Sequence, residues 1–208
     1  MKPEAPVLDW AALSPLVALA GGACIVLLVG LLRARFIRRH LVPLLTVVTL
    51  GATIGLSIWQ WDENVEVVER ALAIDNLTLT LTILFAVAGI GAVLLSWRSS
   101  AVAEAGEGEY FALLLSSILG MVVLVAAQNL VAVFLGFELL SIPLYVLCAT
   151  HMRREHSLES GLKYLIVGSV GSATLLYGLA FIYGATGSTD FSGISDAIAG
   201  ELGVGAPS

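Results

Sequence analysis

A single carboxyl side chain lies inside a long apolar segment of this 208-residue sequence. Glu138 is the only charged residue in the run 130–150, eight residues from its start and twelve from its end. Because a helix rises about 1.5 Å per residue, Glu138 lies about 12 Å and 18 Å from the two ends, near the middle of a membrane-spanning helix. A carboxylate at that depth costs at least about 2.5 kcal/mol, so Glu138 is expected to face protein or water rather than lipid.

The chemistry that suits such a carboxyl is proton transfer. Burial disfavours its charged form, so its protonation depends on the charges around it. Ser141, Tyr145 and Cys148 follow at i+3, i+7 and i+10 on the same helix face, and Ser141 and Tyr145 are predicted to support a chain of hydrogen-bonded water. The alternative is a Glu138 that makes only structural hydrogen bonds. Proton relay is favoured because acids inside membrane helices are usually functional.

A proline interrupts the hydrogen bonding of the same predicted helix. Pro143 has no backbone N–H and leaves the carbonyl of Leu139 without its helical donor. That carbonyl is next to Glu138, where a water molecule or a side chain would satisfy it. An ordinary helix kink at Pro143 explains the residue equally well, and both interpretations stay open.

A lysine near the start of the next apolar run is a second candidate. Lys163 lies three residues inside the run 160–184, about 5 Å deep. A lysine at that depth usually extends its ammonium group to the membrane surface. The alternative is a charge partner or a further relay site for Glu138 on the neighbouring helix. Depth alone favours the surface-seeking lysine.

The composition indicates that lipid is the main solvent of the chain. Hydrophobic residues make up 58% and charged residues 12% of the sequence, whereas a soluble domain has about 25% charged residues. Backbone polar groups in lipid must bond within their own segment, so long apolar runs are predicted to be helices. The sequence therefore predicts an all-α integral membrane fold with about six transmembrane helices, at residues 13–32, 41–60, 77–97, 110–127, 130–150 and 160–184.

Basic residues give these helices a predicted orientation. Residues 1–187 are expected to form one polytopic membrane domain, and residues 188–208 a polar tail outside the membrane. Arginine and lysine concentrate on the cytoplasmic side, and alternating helices place seven arginines on one side against Lys2 and Arg70 on the other. We expect a multi-pass protein of a bacterial inner membrane with its N-terminus outside and its odd-numbered loops in the cytoplasm. The seven are Arg33, Arg35, Arg38, Arg39, Arg98, Arg153 and Arg154.

No cofactor or metal site is predicted in this chain. Cys24 and Cys148 lie in separate apolar runs and cannot hold an iron–sulfur cluster. Small residues such as Gly89 and Gly91, or the pairs Ser116-xxx-Gly120 and Gly168-xxx-Ser172, indicate close helix packing. Histidines and glutamates in the fifth loop match no strong ligand spacing, so a solvated loop is favoured over a metal site. They are His151, Glu155, His156 and Glu159.

Four stretches carry a resemblance to a known family. They are NLVAVFLGFELLSIPLY at 129–145, ESGLKYLIVGS at 159–169, LLYG at 175–178 and YGATGS at 183–188. Together they resemble the fourth to sixth helices of subunit N of the proton-translocating NADH-quinone oxidoreductase, respiratory complex I, an antiporter-like family. The first 107 residues resemble that family only in hydropathy and helix count.

The resemblance implies a function and roles for two residues. The family couples electron transfer from NADH to quinone with proton translocation, and is built from inverted five-helix repeats. Its fifth-helix glutamate matches Glu138 and its sixth-helix lysine matches Lys163, which reverses the preference based on depth. The cofactors implied for the whole complex are NADH, FMN, iron–sulfur clusters and quinone. The implied partners are other membrane subunits of the complex and the lipid bilayer, with no nucleic acid.

The resemblance covers only part of a family member. Full-length members have about fourteen helices, so the chain is expected to correspond to the N-terminal portion, with its tail continuing into further helices. The broken helix of the family, with its central lysine, has no counterpart in the sequence. Two alternatives stay open: a subunit of a multisubunit sodium/proton antiporter, and a structural membrane subunit without transport of its own.

Overall fold

The computed structural model describes residues 9–32, 37–62, 65–68, 71–151 and 153–201. Within these residues the chain is mainly helical, and a π-helical turn at Ile37–Leu41 leads directly into the second helix. The helices are α1 Ser14–Gly30, α2 Val42–Trp59, α3 Asn76–Ser96, α4 Ser100–Ala105, α5 Glu107–Ala126, α6 Leu130–Cys148, α7 Glu155–Thr186 and α8 Phe191–Glu201.

Five helical segments among the described residues are long and apolar enough to cross a membrane, judged by length and composition. They are α3, α5, α6, α7 and the segment Arg38–Trp59, which joins the π-helical turn to α2. Helix α1 is apolar but has 17 residues, a rise of about 26 Å against a hydrocarbon core of about 30 Å. The expected all-α integral membrane fold is confirmed. It has five helical segments long enough to cross a membrane among the described residues, together with the shorter apolar helix α1.

A small hairpin was not expected from the sequence. Strands β1 (Val65–Val67) and β2 (Leu72–Ile74) pair antiparallel, with Val65 opposite Ile74 and Val67 opposite Leu72. Val67 and Ile74 are buried, because their apolar side chains cover the end of the helix bundle. The backbone N–H of Gln128, between α5 and α6, donates to the carbonyl of Ala71 at 2.8 Å.

The polar tail also contains structure that the sequence analysis did not predict. Helix α8 forms within residues 188–201, and its start is tied to the turn between α5 and α6. The N–H of Leu130 donates to the carbonyl of Thr189 at 2.9 Å, and the N–H of Phe191 donates to the carbonyl of Gln128 at 3.1 Å. With the hairpin, these bonds hold several connections together at one end of the bundle.

Helices α1, α2, α3 and α5 enclose the core of the bundle. Its largest fully buried side chains include Phe111, Leu19 and Leu50. At the opposite end from the hairpin, the backbones of Gly30 and Gly108 meet so closely that a Cβ on either residue would overlap the other. Glycine is therefore required where α1 crosses α5.

Helix α7 lies at the edge of the bundle and packs mainly on α6. Its buried residues are Gly161 and Ser172, so most of its surface faces whatever surrounds the chain. It begins at Glu155 and not at the predicted residue 160. Several charges used to orient the helices lie outside the described residues: Lys2, Arg33, Arg35 and Arg70.

Candidate functional site on the Glu138 helix

Helix α6 positions Glu138. The helix starts at Leu130, where the Asn129 side chain accepts a hydrogen bond from the N–H of Ala132 at 2.7 Å. This cap satisfies one of the free N–H groups at the helix start. Glu138 lies eight residues after the first residue of α6 and ten before the last, Cys148. The structure therefore places the carboxyl near the middle of the helix, half-buried.

Two glycines bring the backbones of α5 and α6 together on either side of Glu138. A Cβ on Gly120 of α5 would collide with the backbone nitrogen of Leu140, and a Cβ on Gly136 of α6 would lie 2.8 Å from the backbone nitrogen of Leu124. Any larger residue would push the helices apart. The close packing predicted from Gly120 is confirmed, and it fixes the helix that carries Glu138.

Ser141 and Tyr145 are both buried on α6, as expected for a polar face next to Glu138. The Ser141 hydroxyl makes no hydrogen bond to any residue in the described ranges. Cys148 departs from this pattern, because it is exposed. The predicted stripe of polar groups therefore ends at Tyr145, since Cys148 is the last residue of α6 and points away from the neighbouring helices.

Tyr145 connects α6 to α7. Its ring packs edge to face against the ring of Tyr164, with centroids 5.0 Å apart. Its hydroxyl lies over Gly168, where an added Cβ would overlap it. Closer to the start of α7, on the same interface, a Cβ on Gly161 would lie 2.7 Å from the Cβ of Ala149. Gly161 and Gly168 thus give α7 the flat surface on which α6 rests.

Lys163 has a different partner from the one weighed in the sequence analysis. Its Nζ lies 2.5 Å from Oε1 of Glu159, one helical turn earlier, and its side chain is 72% exposed. Among the residues described, Glu138 and Lys163 form no ion pair with each other. Because α7 starts at Glu155, Lys163 lies eight residues, or about 12 Å, along the helix. The predicted depth of about 5 Å was counted from residue 160, five residues after the start of α7.

The sequence analysis missed three contacts near these residues. The Glu159–Lys163 pair has the i, i+4 spacing that typically joins charges on a helix surface, so it was accessible from spacing. The Tyr145–Tyr164 contact could not be predicted from spacing, because it depends on how two helices pack against each other. The same holds for Nδ1 of His151 and Oε2 of Glu104, which lie 3.7 Å apart with each side chain about a quarter exposed.

The fifth-loop cluster does not assemble a metal site in the described part of the chain. His156 lies 3.9 Å from Glu159, but His151 faces Glu104. No three histidine, cysteine, aspartate or glutamate side chains among the described residues come close enough to hold one ion. Glu159 therefore lies between His156 and Lys163, and its carboxylate pairs with the ammonium group of the lysine.

Comparison with known proteins assigns the class of this fold. Residues 127–206 match the family model described as NADH:quinone oxidoreductase/Mrp antiporter, TM. These residues comprise α6, α7 and α8, and so include the candidate site. Residues 127–206 are therefore similar to the transmembrane region that this family model describes.

Individual relatives narrow the resemblance. Subunit N of NADH-quinone oxidoreductase from Saccharopolyspora erythraea is 35% identical, over 95% of this chain and 44% of its own length. Subunit N from Alkalilimnicola ehrlichii is 36% identical, over 87% of this chain and 37% of its own length. The resemblance to subunit N drawn from the sequence is confirmed. The chain spans about two fifths of the length of these curated relatives.

A solved structure shares the fold. A chain of respiratory complex I from Thermus thermophilus with bound aureothin superposes with a TM-score of 0.72 and is 27% identical. The match covers 91% of this chain and 43% of that one. The arrangement of helices around Glu138 is therefore one found in a respiratory membrane complex.

Proposed function

We propose that the chain forms part of a membrane-arm subunit of NADH-quinone oxidoreductase, in which Glu138 carries protons during coupling of electron transfer to proton translocation. The observation that carries the proposal is the half-buried carboxyl at the middle of α6, inside the segment that matches the family model. A carboxyl in that position is costly to keep charged, so its protonation responds to nearby charges.

The neighbours of Glu138 support a route in the direction of α7. Ser141 and Tyr145 are buried along the same helix, and a hydroxyl both donates and accepts hydrogen bonds. Tyr145 reaches Tyr164, the residue next to Lys163. In this proposal Ser141 and Tyr145 order water between the helices, and Pro143 frees a backbone carbonyl beside them.

Lys163 is proposed to set the charge balance of this route. Its ammonium group is paired with Glu159, which offsets its field at Glu138. Movement of the lysine away from Glu159 would leave an unpaired positive charge on α7, the helix that packs against α6. Lys163 thereby modulates proton uptake by Glu138 or passes the proton onward.

The orientation and the partners belong to the same proposal. Arg38, Arg39, Arg98, Arg153 and Arg154 all lie at helix ends on one side of the antiparallel bundle, which favours that side as cytoplasmic. The N-terminus and α8 are then outside, in a bacterial inner membrane. Other membrane subunits surround the chain, while NADH, FMN, iron–sulfur clusters and quinone act elsewhere in the complex.

The test is the number of protons moved per electron in membrane vesicles that oxidise NADH with quinone. Glu138→Gln removes the ionisable group and keeps the shape, and we expect it to lower proton translocation about tenfold or more while the complex assembles. Glu138→Asp should retain part of the activity. Glu109→Gln, an exposed carboxyl at the start of α5, is the matched control. An unchanged proton-to-electron ratio in Glu138→Gln would exclude the role of Glu138.

A second candidate is a subunit of a sodium/proton antiporter, because the matching family model also covers Mrp antiporters. The same site would then exchange protons for sodium ions without electron transfer. Proton exchange driven by sodium in vesicles that receive no NADH would favour this candidate. Proton movement that requires NADH and quinone, and is indifferent to sodium, favours the oxidoreductase.

A further inference from the structure

Two neighbouring clefts open at the arginine-rich end of the bundle, far from Glu138 along the chain. The first has a volume of about 390 Å³ and the second about 440 Å³. Trp97 and Arg98 form part of the wall of both, so the clefts are adjacent. We call the pair the basic cleft. It lies where the π-helical turn before α2 meets the end of α3.

Among the described residues that line its first part, the basic cleft has more positive than negative charge. Arg39 and Arg98 line the first part and are exposed, and neither forms an ion pair with a residue in the described ranges. Arg38, beside Arg39, has a buried Nε that bonds no acceptor in those ranges. Glu107 is the one carboxylate on the described wall of the first part. Two arginines against one glutamate leave a net attraction for an anion.

The second part of the basic cleft is amphipathic. Its lining combines His40 and Arg98 with the apolar side chains of Leu94 and Leu95. Leu95 is 89% exposed and Leu94 is 59% exposed, on the last turns of the membrane helix α3. Trp97 also lines this part, at the end of α3, and tryptophan is enriched at the membrane surface. The wall therefore changes from charged to apolar in the direction of the bilayer.

We propose that the basic cleft binds an anionic phospholipid, with the phosphodiester headgroup at Arg39 and Arg98 and an acyl chain along Leu94 and Leu95. Arginine forms paired hydrogen bonds with phosphate oxygens, and Ser99 and Ser100 line the same part of the cleft. The carboxylate of Glu107 accepts hydrogen bonds from headgroup hydroxyls and repels a free phosphate dianion. The exposed leucines complete a site for a lipid rather than for a small anion.

The test uses the chain purified in mild detergent from its own membrane. Native mass spectrometry measures binding of added phosphatidylglycerol and of phosphatidylethanolamine. The double variant Arg39→Gln/Arg98→Gln is expected to bind phosphatidylglycerol about tenfold or more weakly. The matched control, Arg153→Gln/Arg154→Gln, removes two exposed arginines at the same end of the bundle and should bind as the unchanged chain does. Equal losses in the two double variants would mean diffuse surface charge and would overturn the proposal.

Two further arms separate the lipid from other ligands. Leu95→Ser is expected to weaken phosphatidylglycerol binding several-fold without affecting the fold, because the side chain is almost fully exposed. Displacement of the lipid by inorganic phosphate would identify a free-anion site and contradict the proposal. Equal binding of phosphatidylethanolamine would mean that the net charge of the cleft does not select the headgroup, and would also contradict it.

Discussion

Tyr145 of α6 and Tyr164 of α7 pack edge to face, with ring centroids 5.0 Å apart and ring planes at 85°. This contact joins the helix of Glu138 to the helix of Lys163, because Tyr145 follows Glu138 by two turns and Tyr164 is adjacent to Lys163. Tyr145 thus combines a ring that packs and a hydroxyl that faces Gly168.

Changing one property of Tyr145 at a time separates proton transfer from packing. Tyr145→Phe keeps the ring contact, and we expect it to lower proton translocation several-fold with an unchanged thermal midpoint. Tyr145→Ala also removes an aromatic pair worth about 0.5–1.5 kcal/mol beyond its buried area, and should lower the midpoint. Both are measured by vesicle acidification and by thermal denaturation in detergent.

Tyr177→Phe is the matched control for this pair of variants. Tyr177 also packs edge to face, against Phe181 at 4.5 Å, but it is exposed on α7. Loss of its hydroxyl should leave proton translocation unchanged. Equal activity of Tyr145→Phe and Tyr177→Phe would show that the Tyr145 hydroxyl has no part in proton transfer.

The glycines beside Glu138 should tolerate no side chain. In Gly120→Ala, the new Cβ overlaps the backbone of Leu140, and we expect a loss of about 1–3 kcal/mol in stability. The measurement is the thermal midpoint of the purified chain. Gly91→Ala in α3 meets nothing within 4 Å and should leave the midpoint unchanged. Equal midpoints for the two variants would mean that α5 and α6 are further apart than described.

Lys163 should affect transport more than stability. Its pair with Glu159 is exposed, and exposed pairs contribute about 0–1 kcal/mol. Lys163→Gln is therefore expected to leave the thermal midpoint almost unchanged and to lower proton translocation several-fold, whereas Lys163→Arg retains the charge and most of the activity. Glu159→Gln should have the milder effect, because the lysine remains. Full activity of Lys163→Gln would favour a lysine that only reaches for the membrane surface.

The helices were predictable because apolar runs of about twenty residues have few alternatives in lipid. The residues at which the helices begin and end were harder to predict. The first turns of α7 contain Glu155, His156 and Glu159, and polar residues in a helix that emerges from the membrane have the composition of a loop. The β1–β2 hairpin and α8 are stabilised by backbone bonds to Gln128 and Leu130, which no local pattern reveals.

The candidate site likewise has residues that the sequence predicts and contacts that it does not. Glu138 and Lys163 were found because charged residues are rare in apolar runs, and rarity is visible in one sequence. Tyr164, Glu104 and the partner of Lys163 depend on which helix faces turn towards each other. Periodicity placed Cys148 on the same helix face as Ser141 and Tyr145. Its exposure in the structure depends on how the helices pack, which the sequence does not show.

Backbone hydrogen bonds join Gln128 and Leu130, at the start of α6, to Phe191 and Thr189, just after the end of α7. These bonds hold the start of α6 and the end of α7 together. Along α7, Tyr177 lies about 14 Å and Lys163 about 35 Å from the helix end at Thr186. Any tilt of α7 against α6 therefore displaces Lys163 about two and a half times as far as Tyr177. A rotation of α7 about this end would therefore move Lys163 further than any residue of α7 that lies closer to Thr186.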